Sequence, residues 1–188
     1  MSLRMPAAER REQLLAVALD VFAGEGYHQT SMNQIAEAAG ITKPVLYQHF
    51  VSKRELYLAL IEEAGERLLQ IITAPSITET NGRRRVELGF LAYFQWVYDD
   101  HDSFQLLFGG GSRRDAEFTE AAGKFQSLVA DAIEPLITAD IDTEHRRTLA
   151  HAIVGLAEGV SRRLIRLGND FDPELIARQV SELAWAGL

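Results

Sequence analysis

Residues 30–50 read Thr30-Ser31-Met32-Asn33-Gln34-Ile35-Ala36-Glu37-Ala38-Ala39-Gly40-Ile41-Thr42-Lys43-Pro44-Val45-Leu46-Tyr47-Gln48-His49-Phe50. Ser31 and Gln34 have the spacing of a capping box, so a helix starts near Met32. Gly40 supplies the backbone freedom for a tight turn and keeps that helix short. Thr42 stands where it can cap a following helix, with Pro44 in the first turn, where a missing N–H costs nothing. That helix ends near Phe50. Two short helices joined by a glycine turn form a helix-turn-helix. Ile35, Ala36, Ala39, Ile41 and Leu46 are small or apolar where the pair must pack. The face carrying Lys43, Val45 and Gln48 is left outward, and a major groove about 12 Å wide admits one such helix.

Upstream, Leu14, Leu15, Ala18, Leu19 and Phe22 share one face of a helix from about Ala7 to Ala23, stopped by Gly24 and Gly26. Downstream, Ser52 can cap a fourth helix whose apolar positions run from Leu56 to Ile72, until Pro75 and the polar stretch 76–82 break it. Further helices are expected at about 84–98, 103–108, 116–137, 143–167 and 173–186. Gly109-Gly110-Gly111, Ala139-Asp140 and Gly168-Asn169-Asp170 punctuate them. No run alternates with period two for long enough to be a strand. The chain therefore reads as all-α, with a three-helix helix-turn-helix domain at 8–55 and a larger helical domain at 56–188.

Composition narrows the chemistry. The 188 residues include no cysteine, which rules out disulfides, thiolate metal sites and a cysteine nucleophile. His145 and His151 are six apart rather than the four of a helical metal pair, and no carboxylate pair has a diagnostic spacing. No metal, no cofactor and no enzyme activity are expected. The N-terminus lacks a signal-peptide pattern and no apolar run approaches the ~20 residues that span a bilayer, so a cytoplasmic chain without a membrane partner is expected. The net charge of -8 is unevenly spread. The first 60 residues balance six Lys/Arg against six Asp/Glu, and the whole deficit lies beyond them. The N-terminal part is thus the less repulsive to phosphate.

Residues 30–50, with Gly26-Tyr27 before them and Ser52-Lys53-Arg54-Glu55-Leu56 after them, resemble the tetracycline-repressor (TetR) family. The resemblance covers about residues 8–68. It implies a homodimeric transcriptional regulator that binds a palindromic operator in double-stranded DNA, commonly as a repressor, and responds to a small-molecule effector. Carried onto this chain, it implies that Lys43, Pro44 and Val45 face base edges, with Asn33 beside them. Thr42, Tyr47, His49 and Lys53 match phosphate-gripping positions, and Ser31 or Thr30 adds the amino end of the preceding helix. Phosphate contacts of this kind fix register while groove residues select sequence. Val51 departs from the commoner residue there, so one phosphate contact is absent.

The C-terminal part is rich in aromatic residues. A helix apolar all round is normally core, but ligand sites are also mostly apolar with a few polar groups. The resemblance implies an effector pocket among these helices, for which Tyr93, Phe94, Trp96, Val97, His101, Phe104, Phe108 and His151 are the candidates. A stripe on the long helix and the last one, comprising Ile153, Gly155, Leu156, Gly159, Val160, Ile176, Val180 and Leu183, is the candidate dimer interface, since the two glycines let another backbone approach. Two rival readings stay open. Phe108-Gly109-Gly110-Gly111-Ser112-Arg113-Arg114 could cradle an acidic ligand, although it lacks the P-loop pattern. The chain could also be an architectural DNA-binding dimer that senses nothing.

Overall fold

The computed structural model describes residues 6–108, 116–168 and 170–186, Ser76 by its backbone alone. The glycine-arginine stretch 109–114 lies outside the described residues. Among those described, the chain forms helices α1 (Ala7–Glu25), α2 (Met32–Ala38), α3 (Lys43–His49), α4 (Lys53–Ile77), α5 (Gly82–Asp99), α6 (His101–Phe108), α7 (Ala116–Ile133), α8 (Thr143–Leu164) and α9 (Pro173–Ala186), with no strand. Short 3-10 turns follow α7 at Glu134–Leu136 and α8 at Ile165–Leu167. The all-α reading holds.

The local signals account for most helix starts. Ser31 accepts from the Gln34 N–H and the Gln34 side chain accepts from the Ser31 N–H at 2.8 Å, so the capping box is complete. Ser52 accepts from the Glu55 N–H at 3.1 Å, and Asn81 and Asp142 do the same for α5 and α8. Thr42, like Pro6 before α1, makes no side-chain capping bond, and Pro44 stands in the first turn of that start. Gly26 (φ 81°) closes α1 and Gly40 (φ 65°) turns α2 into α3, whereas Gly24 lies within α1. Pro75 does not end α4. The helix carries it to Ile77, because so near the C-terminus the proline removes only one backbone bond of the last turns.

Leu14, Leu15, Ile35, Leu46, Phe50 and Leu56 are almost wholly buried and make the core of α1–α3 with the start of α4. This core is continuous with that of α5–α9, because α4 runs from one to the other. α9 lies along α5, while α7 packs on both α4 and α8. α6 packs against α1, a second bridge between the helix-turn-helix and the larger part.

Candidate DNA-reading head and effector cavity

Burial separates the two faces of α3. Leu46 is completely buried, while Lys43, Pro44, Tyr47 and Gln48 are exposed and Val45 and His49 are half-buried. Lys43 Nζ stands 5.8 Å above the Tyr47 ring, a cation-π contact that settles the ammonium near the outer face. Ser31, Asn33 and Thr42 are exposed beside them. The outward surface therefore offers cationic, amide and hydroxyl donors with short apolar groups, the types that read base edges and hold phosphates.

Lys53 is engaged within the chain. Its ammonium donates to the carbonyls of Tyr27 and Thr30, each at 2.7 Å, and lies 4.4 Å from the centre of the Tyr27 ring. Burial depresses its pKa. Lys53 is therefore a clasp that holds the α1–α2 turn onto the start of α4. It positions the amino end of α2. Val51 is exposed and apolar at its own site.

Tyr27 is also where the larger part meets the head. Its ring lies 4.8 Å from Tyr57 of α4 and 4.8 Å from Phe118 of α7, and Phe118 is 4.5 Å from Tyr57. Phe22 of α1 completes the cluster at 5.1 Å from Tyr57. Arg54 pairs with Glu117 and covers the Phe118 ring at 5.5 Å. Burial, with the neighbouring Tyr27, pushes the Tyr57 hydroxyl up to about 12. Sequence reading missed this joint, because no local pattern links Phe118 to residue 27.

Two turns further along α7, Phe125 meets α4 again. A β-carbon at Gly65 would stand 2.7 Å from Cδ2 of Phe125, so the two helices touch where only glycine fits. Phe125 also lines a cavity of about 300 Å3 enclosed by α4, α5, α7, α8 and the end of α9. That volume lies at the lower end of small-molecule sites. Val86, Phe90, Val129, Ile133 and Val154 give it apolar walls. One end carries Gly82, Arg85, Thr138 and the part-exposed Trp185; Arg85 there donates to the carbonyl of Glu79 and, at 3.4 Å, to that of Leu136. The opposite end has Gln126 hydrogen-bonded to Glu158, whose carboxylate also accepts from Arg162 at 3.0 Å. The Tyr93 ring is in the wall there. Its hydroxyl is buried beside Ser161 and Glu158, and burial raises its pKa.

Of the effector residues expected from sequence, Tyr93 and Phe108 line this cavity. Phe94, Trp96, Val97 and Phe104 are core: Trp96 packs on Phe104 at 6.0 Å, away from the cavity face of α5. His101 sits near Gln105, and His151 is exposed on α8. The dimer candidates divide similarly. Gly155, Gly159 and Leu183 are exposed, and Leu156, Val160 and Ile176 are half-buried. Ile153 instead lines the cavity and Val180 is buried within the subunit, because they fall on the inner faces of their helices.

The model of bacterial regulatory proteins of the tetR family matches residues 14–60. The HTH-type transcriptional activator FasR of Mycolicibacterium smegmatis is 33% identical over 187 residues, covering 98% of this chain and 85% of that protein. The fold matches a TetR-like transcriptional regulator from Rhodococcus sp. RHA1 with a TM-score of 0.80, 28% identity and 98% coverage of each chain. It also matches FadR of Bacillus subtilis, solved in complex with stearoyl-CoA, with a TM-score of 0.81 and 18% identity, covering 94% of this chain and 98% of that one.

Proposed function

The chain belongs to the tetR family of bacterial regulatory proteins and is a transcriptional regulator; from that premise we propose that it is a homodimeric, effector-responsive repressor that binds a palindromic operator. The reading divides the chain into a DNA-binding head, 8–55, and a sensing and dimerising part, 56–188, in a cytoplasmic protein without catalytic activity. The observation that carries it is the two-faced α3, with Leu46 sealed in the core while Lys43, Pro44, Tyr47 and Gln48 face outward. Two such helices, one per subunit, would enter successive major grooves about 34–36 Å apart. Gly155, Leu156, Gly159, Val160, Ile176 and Leu183 would form the self-complementary face between subunits.

The effector site is the apolar cavity, and its occupant is an elongated apolar molecule. A long acyl chain is the fitting class, and FadR of Bacillus subtilis offers a precedent within the same fold. A ligand there would press on Phe125, and through it on Gly65 of α4 and on α7, whose Phe118 rests on Tyr27 of the head. Helices packed this closely move as units, so the head would turn and the separation of the two recognition helices would change. Only an effector that binds the two arrangements unequally can drive that shift. Repression follows from occlusion of a promoter by the bound dimer, which requires no further contact surface.

Selection of genome fragments by the purified protein at one fixed salt concentration tests this directly. Recovery of one palindromic sequence, released by a long-chain acyl compound, is the expected result. Enrichment of nothing above non-specific background, with and without such compounds, would reject the operator-binding reading.

A further inference from the structure

The cavity is apolar along its length but polar at both ends. Arg85 and Tyr93 lie on one face of α5, eight residues apart, so the ends are separated by about 12 Å at 1.5 Å per helical residue. Between them the wall is hydrocarbon. A plain alkyl chain would suit that middle and fail at the inner end. There Gln126 and Glu158 line the cavity beside the ring of Tyr93. A methyl terminus beside this polar pair would exclude water from it and add no hydrogen bond.

We propose that the inner end selects a hydroxyl group, so that the effector is a hydroxylated aliphatic acid, or its ester or thioester, rather than a plain saturated one. This rests on the cavity being the effector site. A hydroxyl can donate to the Glu158 carboxylate and accept from the Gln126 amide, matching both kinds of group at once. A carboxylate in the same place would meet Glu158 as a like charge and be rejected. The other end of the ligand, with its carbonyl or anionic head, lies toward Arg85, whose guanidinium suits acceptor oxygens. Glu158 already accepts from Arg162 and Gln126, which hold it in place.

Titration calorimetry of the full chain with dodecanoate, its ω-hydroxy derivative and its ω-carboxy derivative is the test. The hydroxy acid should bind roughly tenfold more tightly than dodecanoate, as expected of a hydrogen bond to a charged group, and the diacid should bind least. In Glu158→Gln the hydroxy preference should shrink and the diacid should recover, because the repelling charge is gone while the side chain keeps its shape. Dodecanoate binding as tightly as the hydroxy acid, or a ranking unchanged by Glu158→Gln, overturns the inference and leaves the effector-cavity reading standing. Binding of none of the three overturns both.

Discussion

The ring of Phe118, on the first turn of α7, lies 4.8 Å from the ring of Tyr27, in the turn between α1 and α2. Seven residues later on α7, Phe125 lines the cavity. One helix thus touches both the cavity and the head. Phe118→Leu keeps an apolar plug but loses the edge-to-face contact with Tyr27, worth about 0.5–1.5 kcal/mol beyond burial. Operator affinity without effector should change little, while release by effector should require more compound. A complete, unshifted response would show that α4 alone carries the signal.

Lys43 and Lys53 should separate under mutation. Lys43 is exposed on the reading face, so Lys43→Ala should lower affinity for the operator by about 1–3 kcal/mol and for random DNA by less. Lys53 holds two carbonyls of the α1–α2 turn, so Lys53→Met should lower the melting temperature of the free protein as well as DNA binding. Thermal denaturation without DNA decides the matter. An unchanged melting temperature in Lys53→Met would mean that the clasp contributes nothing.

These two lysines also show what was legible in advance. The helix-turn-helix depends on signals a few residues apart, such as Ser31 with Gln34 and the turn at Gly40, and these appear in any reading of the chain. The partners of Lys53 lie 23 and 26 residues before it, and its role depends on how α1 folds back on α4. The cavity was harder still. α5 is apolar on nearly every side, so its periodicity does not show which face meets empty space. Phe94 and Trp96 were candidates and Phe90 was not, yet α6 and the core take the first two while Phe90 lines the cavity. The same ambiguity placed Ile153 on the dimer face, whereas it lines the cavity.

Gly65 is the position where crowding is most severe. Any β-carbon there meets the ring of Phe125, at 2.7 Å from Cδ2 and 3.1 Å from Cγ, and these atoms lie near the base of the side chain, where it yields least. Gly65→Ala should cost about 1–3 kcal/mol of stability by overpacking. It should also push α4 from α7 as an effector would, weakening operator binding in the unliganded protein. Operator affinity equal to that of the parent, measured on the folded fraction, would sever this contact from regulation.

Alkaline pH should expose the aromatic joint. The Tyr57 hydroxyl is raised from 10.0 to about 12 by burial and by Tyr27. The unfolded chain loses this proton first as pH rises, so the stabilisation is complete below about pH 10 and disappears progressively up to about pH 12. A shift of this size corresponds to about 3 kcal/mol at 1.36 kcal/mol per pH unit. Urea denaturation at pH 8, 10 and 11 should show the fall in the parent and a shallower one in Tyr57→Phe.

The outer faces of α8 and α9 give the last test. Gly155 and Gly159 have open space where a β-carbon would project, and Leu183 is 64% exposed. In an isologous dimer each substitution acts twice, once from each subunit. Leu183→Glu would bury two like charges near the axis, and Gly159→Arg would insert two long cations where backbones are meant to approach. Both residues are exposed in the single subunit, so neither change should disturb its fold. The expected outcome by light scattering is a dimer for the parent and a folded monomer for each variant. Operator binding should fall steeply with it, because a single head contacts only one half-site. Variants that remain dimeric would place the interface on another face, and a monomeric parent that still binds the full palindrome tightly would remove the dimer from the mechanism.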